Sequence, residues 1–251
     1  MATAAVHNGA LDRSAIAAAV LALGLIVGGL LVGNGFARGR STDRYVEVKG
    51  LSEREVTADI ALWPLRFAAS SNDLADAQAQ ITRGHKAVLA FLERHGIPAS
   101  AAELQNLQVT DSQTNRYGPE RTGPRYIIEQ TVMVRFDEPE VVQKASQNVS
   151  ELVSAGVVLS SSGEYGPFGG PTFIFNGLNA LKPAMIAEAT AAARAAAEQF
   201  ASDSNSTLGG IRQANQGVFV ILPRDQAPGV NEGSQLNKTV RVVSTIQYFL
   251  E

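Results

Sequence analysis

The stretch Arg125-Tyr126-Ile127-Ile128-Glu129-Gln130-Thr131-Val132-Met133-Val134-Arg135-Phe136-Asp137-Glu138-Pro139 decides how this chain is read. Ile128, Gln130, Val132, Val134 and Phe136 alternate with Glu129, Thr131 and Arg135. Successive side chains of a strand point to opposite faces, so the stretch predicts a strand. Asp137, Pro139 and Glu140 then signal a helix start: a short acceptor side chain caps the first amide groups, and proline suits the first turn, where its missing N–H costs nothing. Val142, Ala145, Val149 and Leu152 give that helix its apolar stripe, and Gly156 ends it.

Working outward, Leu104 to Thr114 reads as the preceding strand, joined to Arg125–Phe136 by a loop, Asn115–Pro124, rich in Gly, Pro and Arg. Upstream, Leu74, Ala77, Ile81, Gly84, Val88, Phe91 and His95 recur at steps of three and four, one face of a helix. Ser71 or Asn72 is placed to cap it, and Gly96 followed by Pro98 stops it. Before that helix come a strand over Asp43–Gly50, with Val46 and Val48 against Tyr45, Glu47 and Lys49, and a second from Glu55 to Ala69. Pro64 predicts a bulge or an edge position in the second, because proline cannot donate to a ladder. Downstream, short strands flank the loop Gly163–Pro171. A helix over Leu181–Ser202 carries the stripe Leu181, Met185, Ala189, Ala192, Ala196 and Phe200. Strands over Leu208–Leu222 and Lys238–Leu250 close the chain. The order ββαββαββαβββ implies an α+β fold with antiparallel, hairpin-rich sheets and helices packed on one face.

The N-terminal part is of another kind. Residues 15–32 are an unbroken run of Ala, Val, Leu, Ile and Gly, with no charge between Arg13 and Arg38. At 1.5 Å per residue the run is about 27 Å long, close to the ~30 Å of a bilayer core and longer than the usual hydrophobic part of a cleaved signal. The expected organisation is a tail over 1–13, a single transmembrane anchor or signal segment over 14–36, a linker over 37–43 and an α+β domain over 44–251, with residues 15–32 meeting the membrane. A cleaved signal, cut after Gly35-Phe36-Ala37, is the alternative. Arg38, Arg40 and Arg44 outnumber Arg13 across the run, a count that favours a cytoplasmic domain.

Composition narrows the function. The 251 residues are 45% hydrophobic and 18% charged, which is globular, and the formal net charge of −3 provides no electrostatic footprint for nucleic acid. Cysteine is absent, which excludes disulfides, thiolate metal sites and thiol nucleophiles.

Four stretches together resemble the SIMPL-domain family of bacterial envelope proteins. They are Val46-Glu47-Val48-Lys49-Gly50 with Glu55-Val56-Thr57-Ala58-Asp59-Ile60-Ala61, then Gly96-Ile97-Pro98 leading to Leu104-Gln105-Asn106-Leu107, then Tyr126 to Val134, and the alanine-rich helix ending in Leu208-Gly209-Gly210-Ile211. The resemblance runs from about Arg44 to Leu250. It implies a periplasmic or cell-surface α+β domain with no known reaction, linked to envelope or oxidative stress, and self-assembly, since some members form ring- or channel-like oligomers. It favours a domain outside the inner membrane, against the arginine count.

No constellation for chemistry stands out. His7 lies in the tail. His85 and His95 sit ten residues apart on one helix and do not converge, and His95 near the helix C-terminus suits the macrodipole. Gly163–Gly170 lacks the Lys-Ser/Thr and the helix start of a phosphate loop. Asp59, a carboxylate among apolar residues, is expected to accept backbone N–H groups at a bend. Arg116, Arg121 and Arg125 gather on or beside one loop, as a solvated hairpin tip or a contact for an anionic surface. Trp63 beside Pro64 reads as core or subunit contact. Asn148-Val149-Ser150 matches a glycosylation sequon but falls on a predicted helix. The expectation is therefore no catalytic, cofactor-binding or metal-binding residue and no cofactor, in a membrane-anchored homo-oligomer that assembles through strand edges and the loops Asn115–Pro124, Gly163–Pro171 and Pro223–Gly233. A binding module for a small ligand or client protein is the alternative reading, and an enzyme the third.

Overall fold

A computed structural model describes residues 10–41, 44–114, 123–160 and 170–251. The chain divides into two compact units, one of residues 1–50, 190–215 and 244–251 and the other of residues 51–189 and 216–243. The N-terminal helix α1 runs over Ala10–Ser41. Its segment Ala15–Phe36, 22 residues, is exposed on every side and is long and apolar enough to cross a membrane. At 1.5 Å per residue it reaches about 33 Å, against ~30 Å of hydrocarbon.

The fold is α+β, as the element order implies. In the second unit, β2 (Ile60–Ser71) forms the middle of a five-stranded sheet with β3 (Ala102–Asp111), β4 (Tyr126–Phe136), β5 (Val158–Leu159) and β6 (Thr172–Ile174). The order is β3-β4-β2-β5, with β6 also on β2, and every one of these ladders is antiparallel. Helices α2 (Leu74–Arg94), α3 (Pro139–Gln147) and α4 (Ser150–Ser154) cover one face. Trp63, Leu65 and Phe67 from β2 and Ile128, Val132 and Val134 from β4 meet Ile81, Val88, Phe91 and Leu92 of α2 in one buried cluster. Trp63 is 2% exposed and stands edge-on to Phe91 with ring centroids 6.3 Å apart, so it is core.

Pro64 does not bulge this strand. It faces Met133 in an unshifted ladder with β4, while on the other side pairing with β6 ends at Leu62 and pairing with β5 begins at Phe67. The proline thus sits in an inner strand, level with the gap between two short partners, where a missing donor costs least. α2 ends at Gly96, whose φ of +82° is the left-handed conformation that glycine adopts without strain. Its cap is Asp73, which accepts from the Asp76 N–H at 2.9 Å, while Ser71 and Asn72 accept from Asp73 and Arg125 N–H groups. Asn148 and Val149 split the single helix expected before Gly156 into α3 and α4.

The other sheet has the order β1 (Tyr45–Thr57), β9 (Asn237–Leu250), β7 (Leu208–Gln216), with β8 (Val220–Pro223) also on β9. β1 runs on past Gly50, where the sequence pattern ends a strand, because Ser52 keeps the inward alternation and its hydroxyl donates to Glu188 at 2.8 Å. The break in the expected strand Leu208–Leu222 is Gly217: it donates to the Val243 carbonyl, and a Cβ there would lie 2.8 Å from that same oxygen. Helix α5 (Leu178–Asp203) packs on this sheet. Its buried side chains are Met185, Ala189, Ala193, Ala197 and Ala201, a strict step of four. The expected stripe of Ala192, Ala196 and Phe200 is therefore displaced by one residue, and Phe200 is exposed. In the first unit Ala193 and Ala197 pack on Val46, Val48, Ile246 and Tyr248. In the second, Met185 and Ala189 pack on Val240 and Val242.

Candidate functional site

β3 is an edge strand that carries a row of exposed apolar side chains. Its inner side pairs with β4: Ala102 with Val134, Leu104 with Val132, then, after a bulge, Leu107 with Gln130 and Val109 with Ile128. Opposite residues of an antiparallel pair share a face, so Ala102, Leu104, Leu107 and Val109 point the same way as the buried residues of β4. The helices lie over β2 and β4; Ala102 still packs against that core, while among the described residues no helix covers Leu104, Leu107 and Val109. Leu104, Leu107 and Val109 are 50%, 49% and 51% exposed. Among the described residues no strand pairs with the outer side of β3.

Chemistry sharpens the point. Residues 104–110 read Leu-Gln-Asn-Leu-Gln-Val-Thr, without charge, proline or glycine. Such a segment on an edge is a template for another strand, since among the described residues no strand takes up its outward N–H and C=O groups. The charged residues stand at the ends, Glu103 and Asp111. Asp111 is held: its carboxylate accepts from Arg125 Nε and Nη2 at 3.2 and 3.1 Å, closing the base of the β3–β4 hairpin. Hydrogen bonds from the Arg125 guanidinium and then from the Gln113 N–H hold the Asp111 carboxyl below the usual carboxylate range, and the same pairing raises Arg125. Arg125 also lies 4.8 Å from the centre of the Tyr126 ring.

The residues singled out in the sequence do not converge. Asp59 does accept backbone donors at a bend: the N–H groups of Asn176 and Gly177, at 2.9 to 3.0 Å, just ahead of α5. It caps α5 from the β1–β2 turn, a structural task for which a carboxylate at a helix N-terminus is well suited. His95 caps α2, stacks on Phe91 at 4.5 Å and lies 3.3 Å from Glu151. His85 is half-buried on the same helix, and no group of three or more His, Asp or Glu suited to a metal occurs among the described residues. Asn148 caps the end of α3, its amide donating to the Lys144 carbonyl at 3.0 Å. His7, Arg116, Arg121, most of Asn115–Pro124 and most of Gly163–Pro171 lie outside the described residues.

The loop Pro223–Gly233 is bound to the body of the chain. Gln235 holds it at both ends of Asp225, accepting from its N–H and donating to its carbonyl, at 3.0 and 3.1 Å. Lys238, 0% exposed, pairs with the Glu232 carboxylate and donates to the Glu232 carbonyl. Two clefts open in the second unit. One of about 260 Å³ is lined by Phe67, Ile81, Gly84 and Val157, and a second of about 380 Å³ by Leu62, Glu103, Met133 and Arg135. The first lining is mainly apolar, whereas the second also takes in Ser100 and Gln105 beside Glu103 and Arg135.

The model of the SIMPL family, described as a protein of unknown function (DUF541), matches residues 46–245, from the start of β1 to within five residues of the end of β9. The chain belongs to the SIMPL family. The match takes in both sheets and leaves out α1, so the SIMPL domain and the apolar helix are separate contributions to the protein. No curated protein matches the SIMPL chain. Among solved structures it is similar to the regulatory subunit of aspartate kinase from Thermus flavus, at 13% identity over 80% of this chain and 89% of that one, with a TM-score of 0.17. It is also similar to an uncharacterised conserved protein from Listeria innocua, at 9% identity over 76% and 91%, with a TM-score of 0.16. Likeness at this level carries no argument about fold or function.

The sequence reading missed the open row on β3. The signal was present: apolar residues at 104, 107 and 109 step by three and then by two, the spacing of a strand with one extra residue, and no charge interrupts them.

Proposed function

We propose that this protein is a non-catalytic, membrane-anchored SIMPL protein of the bacterial envelope whose domain assembles with copies of itself outside the inner membrane. The observation that carries the reading is the uncharged outer edge of β3 with three half-exposed apolar side chains on the core-facing side. Covering the exposed half of a Leu or Val contributes about 1 kcal/mol at ~25 cal/mol per Å², before any strand pairing is added. Anchoring is supported by Ala15–Phe36, an all-round apolar helix that nothing in the domain buries. The outward orientation follows the family rather than Arg38, Arg40 and Arg44, and the link to envelope or oxidative stress belongs to the same reading.

Light scattering on the full chain in detergent, across a hundredfold range of protein concentration, tests the assembly: an oligomer is expected, and a monomer throughout defeats it. Protease added to spheroplasts tests the orientation. Digestion of the SIMPL domain is expected, and protection until lysis reverses the topology.

The binding-module reading has two clefts in its favour, the 260 Å³ one beside Gly84 and the 380 Å³ one beside Glu103 and Arg135. The first volume lies below the range of ordinary ligand pockets, and the second just within it. The bare edge of β3 is the reason to put assembly first, and the cleft beside Glu103 is the reason to keep binding as the second reading.

A further inference from the structure

We infer that β3 pairs with β3 of a second copy, antiparallel about a two-fold axis, with Leu104 of each strand facing Leu107 of the other. The inference rests on the self-assembly reading and assigns it a surface and a register.

The bulge dictates the register. Leu104 and Leu107 are three residues apart yet share the core-side face, because the ladder with β4 shifts between them. Opposite residues of an antiparallel pair must lie on one face. Two bulged strands stay in step only when the segment before the bulge, Ala102–Leu104, faces the segment after it, Leu107–Asp111, of the other copy. With Leu104 opposite Leu107, Ala102 falls opposite Val109 and Glu103 opposite Gln108, each twice by symmetry. All three half-exposed apolar side chains then gain an apolar neighbour. A slide of two residues one way sets Leu104 against Val109 and leaves Leu107 facing the bulge. A slide the other way leaves Leu104 facing it.

Charge agrees with this arrangement. The Glu103 carboxylate, an acceptor, stands opposite the Gln108 amide, which has donors to offer, and no like charges face each other. A parallel, in-register stack would set Glu103 beside Glu103, which is repulsive. The arrangement is isologous, the same patch on both copies, and two-fold closure is the commonest symmetry of homo-oligomers. It removes the open edge by turning two five-stranded sheets into one continuous ladder.

The chain has no cysteine, so introduced thiols report without background. The double variant E103C/Q108C, as the full chain in detergent, is oxidised beside E103C/T110C, which matches the register slid by two. The expected result is a covalent dimer in E103C/Q108C at least fivefold above the other variant. Adding Leu107→Lys should lower that yield fivefold or more, and Leu107→Thr, a strand former, serves where the lysine variant loses its circular dichroism. An oligomer by light scattering with no preference for the 103–108 pair overturns the β3 register and leaves assembly standing. A monomer at every concentration overturns both.

Discussion

β1 and β3 each stand at the end of a sheet, and each offers one side with no strand against it among the described residues. Their chemistry differs. β1 carries Glu47, Lys49, Glu53, Arg54 and Glu55 within thirteen residues. Several are engaged: Glu47 accepts from Gln247 at 2.8 Å, Glu53 pairs with Arg241 at 2.6 Å, and Arg54 pairs with Glu188. A second chain laid along β1 would have to desolvate or displace those charges. β3 keeps its charges at the two ends and presents leucine and valine between them. Charged edges are how soluble sheets avoid pairing with one another, so of these two edges β3 is the one chemically open to a second strand.

Four measurements break or sharpen that contrast. The largest effect belongs to the interior that β3 only borders. Trp63→Ala should cost about 3–5 kcal/mol of unfolding free energy in urea, since it empties the buried space against Phe91. Leu107→Ala, on the same face of the same sheet, should cost about 1 kcal/mol or less, because half of the side chain already meets water. Equal costs would mean that β3 is core and not an interface. Next in size is the removal of the guard on β1. Lys49→Val combined with Glu55→Val should raise the association constant about tenfold, or about 1.4 kcal/mol, in sedimentation. An unchanged constant would show that charge is not what keeps β1 apart.

Gln130 supplies the third. It faces Leu107 from β4, is 7% exposed, and its Oε1 has no hydrogen-bond partner among the described residues. Gln130→Met removes a buried polar oxygen while keeping the shape, so the unfolding free energy in urea should stay level or rise by up to about 1 kcal/mol. A clear loss would reveal a partner for that oxygen. The smallest effect is acid-dependent. Asp111 has a folded-state pKa below its unfolded value of about 3.9, so its pairing with Arg125 stabilises the hairpin base fully above about pH 4. That contribution is lost as pH falls through the folded pKa, where protonation frees Arg125. Carboxyl titration of Asp111 by NMR should show the lowered midpoint, and Arg125→Gln should return it toward the ordinary value.

Much of this architecture can be read from periodicity. Ala77, Ile81, Val88 and Phe91 announce α2 and its buried face because apolar and polar residues contrast sharply along it. α5 shows the converse. Its second half is so rich in alanine that neighbouring stripes look alike, and the buried row Ala193, Ala197, Ala201 is chosen by the sheet beneath. Ser52 and Gly217 show a second limit. Where β1 continues and where β7 stops depends on partners far along the chain, Glu188 and Val243. The role of Asp59 was legible in kind, a carboxylate taking backbone donors, but not its partners Asn176 and Gly177, more than a hundred residues away. The open row on β3 is hidden for a related reason. An apolar residue on a strand is equally suited to a core or to an interface, and only the position of the helices decides which it meets.

Between the end of α1 at Ser41 and the start of β1 at Tyr45 lie three residues. Fully extended, three residues reach only about 11 Å. With α1 in a bilayer, as proposed, so short a connection would keep β1 near the lipid and confine the search for a neighbour to a plane. Confinement to that plane would raise the effective concentration of one β3 for another, in the way a short linker does for two joined modules. On the assembly proposed above, an edge of modest affinity in dilute solution would suffice on the membrane, and the shortness of this connection would matter as much as the leucines.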